Sequence, residues 1–155
     1  IRLLKGVVDV YLADMRYSDA ATAGKYSSAP DYPPINKKAI KEMYLQAKTA
    51  EFDQSGIIKS GLIIRHLVLP QGLAGTEEIM RFISREASVD TYISLMSQYT
   101  PYYRACEFKE INRRVSPQEY NKAISLMEKY GLHNGWTQDS GGLEDFAGIH
   151  IKSNI

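Results

Sequence analysis

Cysteine is nearly missing from this chain, with one thiol, Cys106, in 155 residues. A single thiol excludes an internal disulfide and any all-cysteine zinc or iron-sulfur site supplied by the chain alone. It also suits a reducing compartment, so a cytoplasmic location is expected. Histidine is almost as scarce: His66, His133 and His150 stand far apart, and no two have the i, i+4 spacing of a helical metal motif. Charge of one sign is lacking too, because nineteen Lys and Arg face eighteen Asp and Glu, a net of +1. A surface built for nucleic acid or anionic lipid needs a basic excess, and neither partner is expected. No apolar run approaches the roughly 20 residues that span a bilayer, and the N-terminus lacks the order of a signal peptide.

What is present is a globular composition, 44% apolar and 24% charged, at a length that suits one domain. The chain opens at Ile1 and runs almost at once into apolar residues. It reads as a single fragment, residues 1–155, of something longer.

Residues 7–12 are β-prone and predict a first strand. Residues 19–35 contain Pro30, Pro33 and Pro34 and predict a long ordered loop. From Asn36, placed as an N-cap, the spacing of Ile40, Met43, Tyr44 and Ala47 predicts a helix of about three turns. Residues 62–69, bounded by Gly61 and Pro70, predict a buried parallel strand. Thr76 is then placed to cap a helix whose inner face is Ile79, Phe82 and Ile83. Residues 91–98 alternate at a period of two and predict a third strand. Ser116, Pro117 and Glu119 form a capping box, and Gly131 follows the last apolar position of that helix. Strands alternating with helices indicate an α/β domain with parallel strands. Residues 139–155 show no periodicity and predict an irregular tail.

Ligands of parallel α/β folds sit beyond the carboxyl ends of the strands, which directs attention to a few polar residues. Asp14 and Arg16 share parity at the end of the first strand, as an anion site or as solvated loop charges. Arg65 stands between Leu62, Ile63 and Ile64 on one side and Leu67, Val68 and Leu69 on the other. A guanidinium buried there must be paired, either with Asp14 or with a carboxylate on a ligand. His66 points to the opposite face and reads as a satisfied core residue. Ser97, Gln98 and Tyr99 end the third strand, where they bind a nucleoside or sugar or merely cap the strand. Residues 72–76 resemble an anion-binding turn without the phosphate-loop ending, so a plain turn is preferred. Asp139, Ser140, Gly141 and Gly142 echo a serine-protease tetrapeptide with no accompanying framework.

Several phrases carry a resemblance: VDVYLADMRY (residues 8–17), KYSSAP (25–30), GLIIRHLVLP (61–70), YISLMSQY (92–99), INRRV (111–115) and YGLHNGWTQ (130–138). Together they resemble the C-terminal half of radical S-adenosylmethionine proteins, in the branch related to pyruvate formate-lyase activating enzyme. The resemblance implies a partial (β/α) barrel, of which this chain would supply about three parallel strands with flanking helices. It implies S-adenosylmethionine and a 4Fe-4S cluster as cofactors of a longer parent enzyme, and a glycyl radical enzyme as protein substrate. Asp14 and Arg16 match the Asp-Leu-Lys signature of the fourth barrel strand, with Arg in place of Lys, whose basic residue faces the methionine carboxylate. Arg65 matches an Arg of the fifth strand near the same cofactor. Tyr99 falls where activating enzymes carry a His, and Gln98 beside it is the preferred contact. The family's C-x-x-x-C-x-x-C motif and its Gly-Gly-Glu type segment do not occur here, so the chain alone is expected to be inactive. The alternative is a non-catalytic α/β module that binds a small molecule or a partner. A barrel cut before the first strand leaves that strand with a free edge, expected to pair with a second copy or to be covered by the tail.

Overall fold

The structure, a computed structural model, describes residues 1–138. The expected irregular tail and the tetrapeptide at residues 139–142 lie outside the described residues. Along the chain come β1 (Val10–Asp14), α1 (Ala20–Ser27), α2 (Tyr32–Ala47), β2 (Glu51–Phe52), β3 (Ile58–Leu67), α3 (Thr76–Glu86), β4 (Tyr92–Met96), α4 (Pro117–Lys129) and β5 (Gly135–Thr137). Short 3-10 turns occupy Arg2–Leu4, Pro70–Gly72 and Tyr103–Glu107. The sheet runs β1-β3-β4-β5, all parallel, and β2 pairs antiparallel with β3. The α/β class is as expected, but the parallel strands number four, because the short β5 is too brief to register as a pattern. No helix among the described residues is long and apolar enough to cross a membrane.

Side chains alternate across a strand, so register sorts the sheet into two faces. Tyr11, Ala13, Leu62, Ile64, Ile93 and Leu95 fall on one face and form the core. Against them pack Ile40 of α2, Ile79, Met80 and Ile83 of α3, and Tyr120, Ala123 and Met127 of α4. These three helices therefore gather on one side of the sheet. On the other side Leu12 is 56% exposed. There Phe52 of β2 stacks against Tyr92 and Trp136, with ring centroids 4.8 and 6.3 Å away.

Helix α4 has the ends that its sequence announces. Ser116 Oγ accepts from Glu119 N (3.2 Å), and Glu119 Oε2 accepts from Ser116 N (2.9 Å). At the far end Gly131 (φ +72°) permits the Gly131 N to Glu128 O and Leu132 N to Met127 O bonds of a Schellman motif, with Leu132 fully buried behind it.

Several boundaries are corrected. The first strand does not begin at residue 7. Val7 N and Val8 N bond back to Leu4 O in the turn that follows Arg2–Leu4, and the ladder starts at Val10 opposite Gly61. The segment 19–35 is not a loop. Asp19 Oδ1 accepts from Thr22 N (2.8 Å) to cap α1, and α2 starts at Tyr32 with Pro33 and Pro34 in its first turn. Proline is tolerated there because those N–H groups have no intrahelical acceptor. Asn36 is consequently a residue of α2 and not its cap. The second predicted strand lies at Ile58–Leu67 instead of 62–69, and the third shortens to Tyr92–Met96. Gly75, not Thr76, is the N-cap of α3.

Candidate functional site

Register makes Asp14 and Arg65 direct partners across β1 and β3, on the face away from the core helices. Their side chains meet there: Arg65 Nε donates to Asp14 Oδ1 at 2.7 Å. Arg16 Nη2 lies 3.5 Å from Asp14 Oδ2. One carboxylate thus serves two guanidiniums, which leaves the group one positive charge in excess. Arg65 Nη1 and Nη2 meet no acceptor among the described residues. Of the two partners weighed for Arg65, Asp14 is present, and it engages Nε alone.

The expected burial of Arg65 is corrected, since its side chain is 42% exposed. Its neighbours along the chain, Ile64 and His66, turn to the core face, and a run of apolar residues does not enclose the one that points the other way. The desolvation penalty that would have forced pairing is therefore small.

The backbone around Asp14 is held from four directions. Met15 N donates to Arg65 O (2.9 Å). Asp14 O accepts from Asn36 Nδ2 (2.9 Å) and from the Tyr32 hydroxyl (3.1 Å). The same hydroxyl accepts from Arg16 N–H at 3.1 Å, and burial pushes the Tyr32 phenol above its ordinary pKa. Asn36 Oδ1 is buried without a partner among the described residues. On the core side, His66 Nδ1 lies 2.7 Å from Met15 O and Nε2 lies 2.9 Å from Thr76 Oγ1. A carbonyl only accepts, so the proton sits on Nδ1 and Nε2 accepts from the Thr76 hydroxyl. Burial lowers the His66 pKa to about 4 and keeps the ring neutral. The satisfied-core reading of His66 matches this geometry.

The turn after β3 is a plain one. Leu73 N bonds to Pro70 O and Gly75 N to Gly72 O, while Ser18 N bonds to Ala74 O. Gly75 has φ +69°, and a Cβ there would overlap the Ser18 side chain. The exits of β1 and β3 are thereby docked backbone to backbone. Glu119 adds a further tie, accepting from both Arg113 Nη atoms (2.8 and 2.7 Å) and from Gln71 N (2.6 Å). Those partners, Arg113 foremost, hold its carboxyl far below the usual range.

Gln98 is not drawn into the Asp14 group. Its amide donates to Met96 Sδ (3.6 Å), and its Oε1 accepts from Gln138 Nε2 (3.3 Å). Ser97 is capped by Gln138 Oε1, at 2.7 Å from its N and 3.2 Å from its Oγ. Tyr99 OH donates to Ile111 O (2.9 Å). Asp14, Arg16 and Arg65 are thus brought together, and Gln98 belongs to a separate strand-end network. Tyr32 and Asn36 were missed, and their signal lay in recognising that Pro33 and Pro34 open a helix. Cys106 is exposed, and among the described residues no group of three or more His, Cys, Asp or Glu could hold a metal ion.

No protein-family model matches this chain, and no solved structure matches it. It is similar to an uncharacterised protein of Methanocaldococcus jannaschii, 39% identical over 133 residues. The match covers 85% of this chain and 35% of that protein, so the chain spans about a third of the length of the relative it matches.

Proposed function

We propose that this chain is the distal part of a radical S-adenosylmethionine oxidoreductase resembling glycyl radical enzyme activating enzymes, and that Asp14, Arg16 and Arg65 form part of its cofactor pocket. The observation that carries the reading is the half-free Arg65 guanidinium, fixed through Nε by Asp14 at the carboxyl end of the sheet. A planar fork whose terminal nitrogens are both unengaged among the described residues suits a carboxylate. The strand order supports it as well. β1, β3, β4 and β5 follow one another in space with their core helices on one side, the layout of an arc of a (β/α) barrel and not of a doubly wound sheet.

The residues fit one implied group and not the other. The methionine carboxylate of S-adenosylmethionine has a seat on Arg65 and Arg16, with Asp14 orienting both and Tyr32 and Asn36 fixing the Asp14 carbonyl. A 4Fe-4S cluster has none, since the chain has one cysteine. Its thiolates would have to come from another part of the parent. Bound S-adenosylmethionine supplies a cleavable sulfonium bond, and these residues bind and orient the end remote from that bond. A glycyl radical enzyme as protein substrate and a cytoplasmic setting belong to the same reading.

Calorimetry on the complete gene product tests it. S-adenosylmethionine should bind, and Arg65→Ala should weaken binding by about tenfold or more, as loss of a charge-assisted pair does. Anaerobic reconstitution of residues 1–155 with iron and sulfide should give no reductive cleavage. Absence of binding by the complete product would instead favour a non-catalytic α/β module that takes a different anion.

A further inference from the structure

The sheet stops at β1. The order β1-β3-β4-β5 leaves the far side of β1 without a strand among the described residues, and β2 pairs with β3. Parity along β1 identifies the groups left over. Gly61 N donates to Asp9 O and Met15 N to Arg65 O, both at 2.9 Å, at the two ends of the β1–β3 ladder. In a parallel pair every second residue of a strand bonds to a given neighbour. Asp9, Tyr11, Ala13 and Met15 therefore face β3, and the backbones of Val10, Leu12 and Asp14 face outward. Asp14 O is filled by Asn36 Nδ2 and the Tyr32 hydroxyl. Val10, Leu12 and the Asp14 N–H have no backbone partner on that side among the described residues.

The side chains around this edge are as bare as its backbone. Leu12 is 56% exposed, and Leu3 and Val7, on the segment that leads into β1, are 96% and 73% exposed. That segment lies against α2, where Arg2 pairs with Glu42 and Ile1 O accepts from Gln46 Nε2 (3.4 Å). Tyr11 OH ties α2 to β1 through Gln46 Oε1 (2.7 Å), so these apolar residues flank β1 on the helix side. Proteins ordinarily blunt a free edge with charge, proline or a bulge. Between Asp9 and Asp14 this strand has none of them, and its register with β3 is unbroken.

The pattern of filled and empty groups selects the occupant. A strand parallel to β1 takes up Val10 O, both backbone groups of Leu12 and the Asp14 N–H, and it ends where Asp14 O is already filled. A second copy on a twofold axis meets β1 antiparallel. Centred on Leu12, that pairing sets Val10 N–H against the filled Asp14 O of the copy. The Methanocaldococcus jannaschii relative is about three times as long as the stretch it shares with this chain, so a comparable polypeptide has ample length to supply a strand of its own.

We propose that β1 receives a parallel strand from a part of the longer polypeptide outside residues 1–155. The inference rests on the reading of this chain as part of a larger protein, and not on any ligand of Arg65. Calorimetry decides the ligand, and hydrogen exchange in the complete gene product, followed residue by residue, decides the edge. The Leu12 and Asp14 amides should be protected to the same order as Tyr11 and Ala13, which β3 protects. Exchange at Leu12 and Asp14 about a hundredfold or more faster than at Tyr11 and Ala13 would overturn the proposal. A photoreactive benzoylphenylalanine in place of Leu12 then identifies the neighbour by mass spectrometry of the linked peptides. The link should join position 12 to a segment of the same molecule outside residues 1–155. A link to another copy, or to residues 139–155, would overturn the proposal as well.

Discussion

The two faces of the sheet are built on different principles although the same strands supply both. On the core face Leu62, Ile64, Ile93 and Leu95 are fully buried beneath three helices, and its polar member, His66, has both ring nitrogens bonded. On the opposite face Leu12 and Arg65 remain well exposed, and the contacts are an aromatic stack and an ion pair shared among three residues. The first face carries the buried core, and the second leaves charged and aliphatic side chains at the surface. Alternation along a strand keeps the two separable, since a change at one residue leaves its neighbour's face intact.

The contrast is sharpest for aliphatic truncation. Ile64→Ala should cost about 2–5 kcal/mol, as buried large-to-small changes do, whereas Leu12→Ala should cost less than about 1 kcal/mol. Urea unfolding of both variants measures the difference, and similar costs would mean that the second face is as covered as the first. A pH series comes next in size. The folded state holds the His66 pKa at about 4, below its ordinary 6.5. The unfolded chain therefore binds the extra proton first as pH falls. Stability from this group is complete above about pH 6.5 and is lost progressively toward pH 4, by about 3 kcal/mol in all. His66→Gln should flatten that slope, and an unchanged slope would place its origin elsewhere. The smallest effect belongs to Arg65→Ala, which should shift unfolding by less than about 1 kcal/mol because the pair is partly exposed.

How much of this was legible depended on whether the signal was local. The Ser116 and Gly131 ends of α4 are marked by residues within one turn of the boundary, and both stand where they were expected. The prolines near residue 33 carry a local signal with two meanings, since proline ends a helix from inside and begins one at its first turn. Asp14 and Arg16 could be grouped by parity along one strand. Attaching Arg65 to them required the β1–β3 register, which is a long-range fact. Its exposure was misjudged because the whole apolar run was taken as an enclosure, whereas Leu62 and Ile64 belong to the other face, and Ile63 and Leu67, which share its face, leave its side chain 42% exposed. Gln98 shares a strand-end position with these residues, yet the Gln138 side chain, forty residues on, determines its partners.

The join between Ser18 and Gly75 has a kinetic corollary. The β1 and β3 exits are fastened by the Ser18 N to Ala74 O bond, with no room for a side chain at Gly75, so parting the two loops would require breaking that bond. On the function proposed above, an anion reaching Arg65 would meet a seat already assembled, with Asp14 Oδ1 on Nε. Its capture rate should be set by encounter and ionic strength, without a slow closing step before the complex forms.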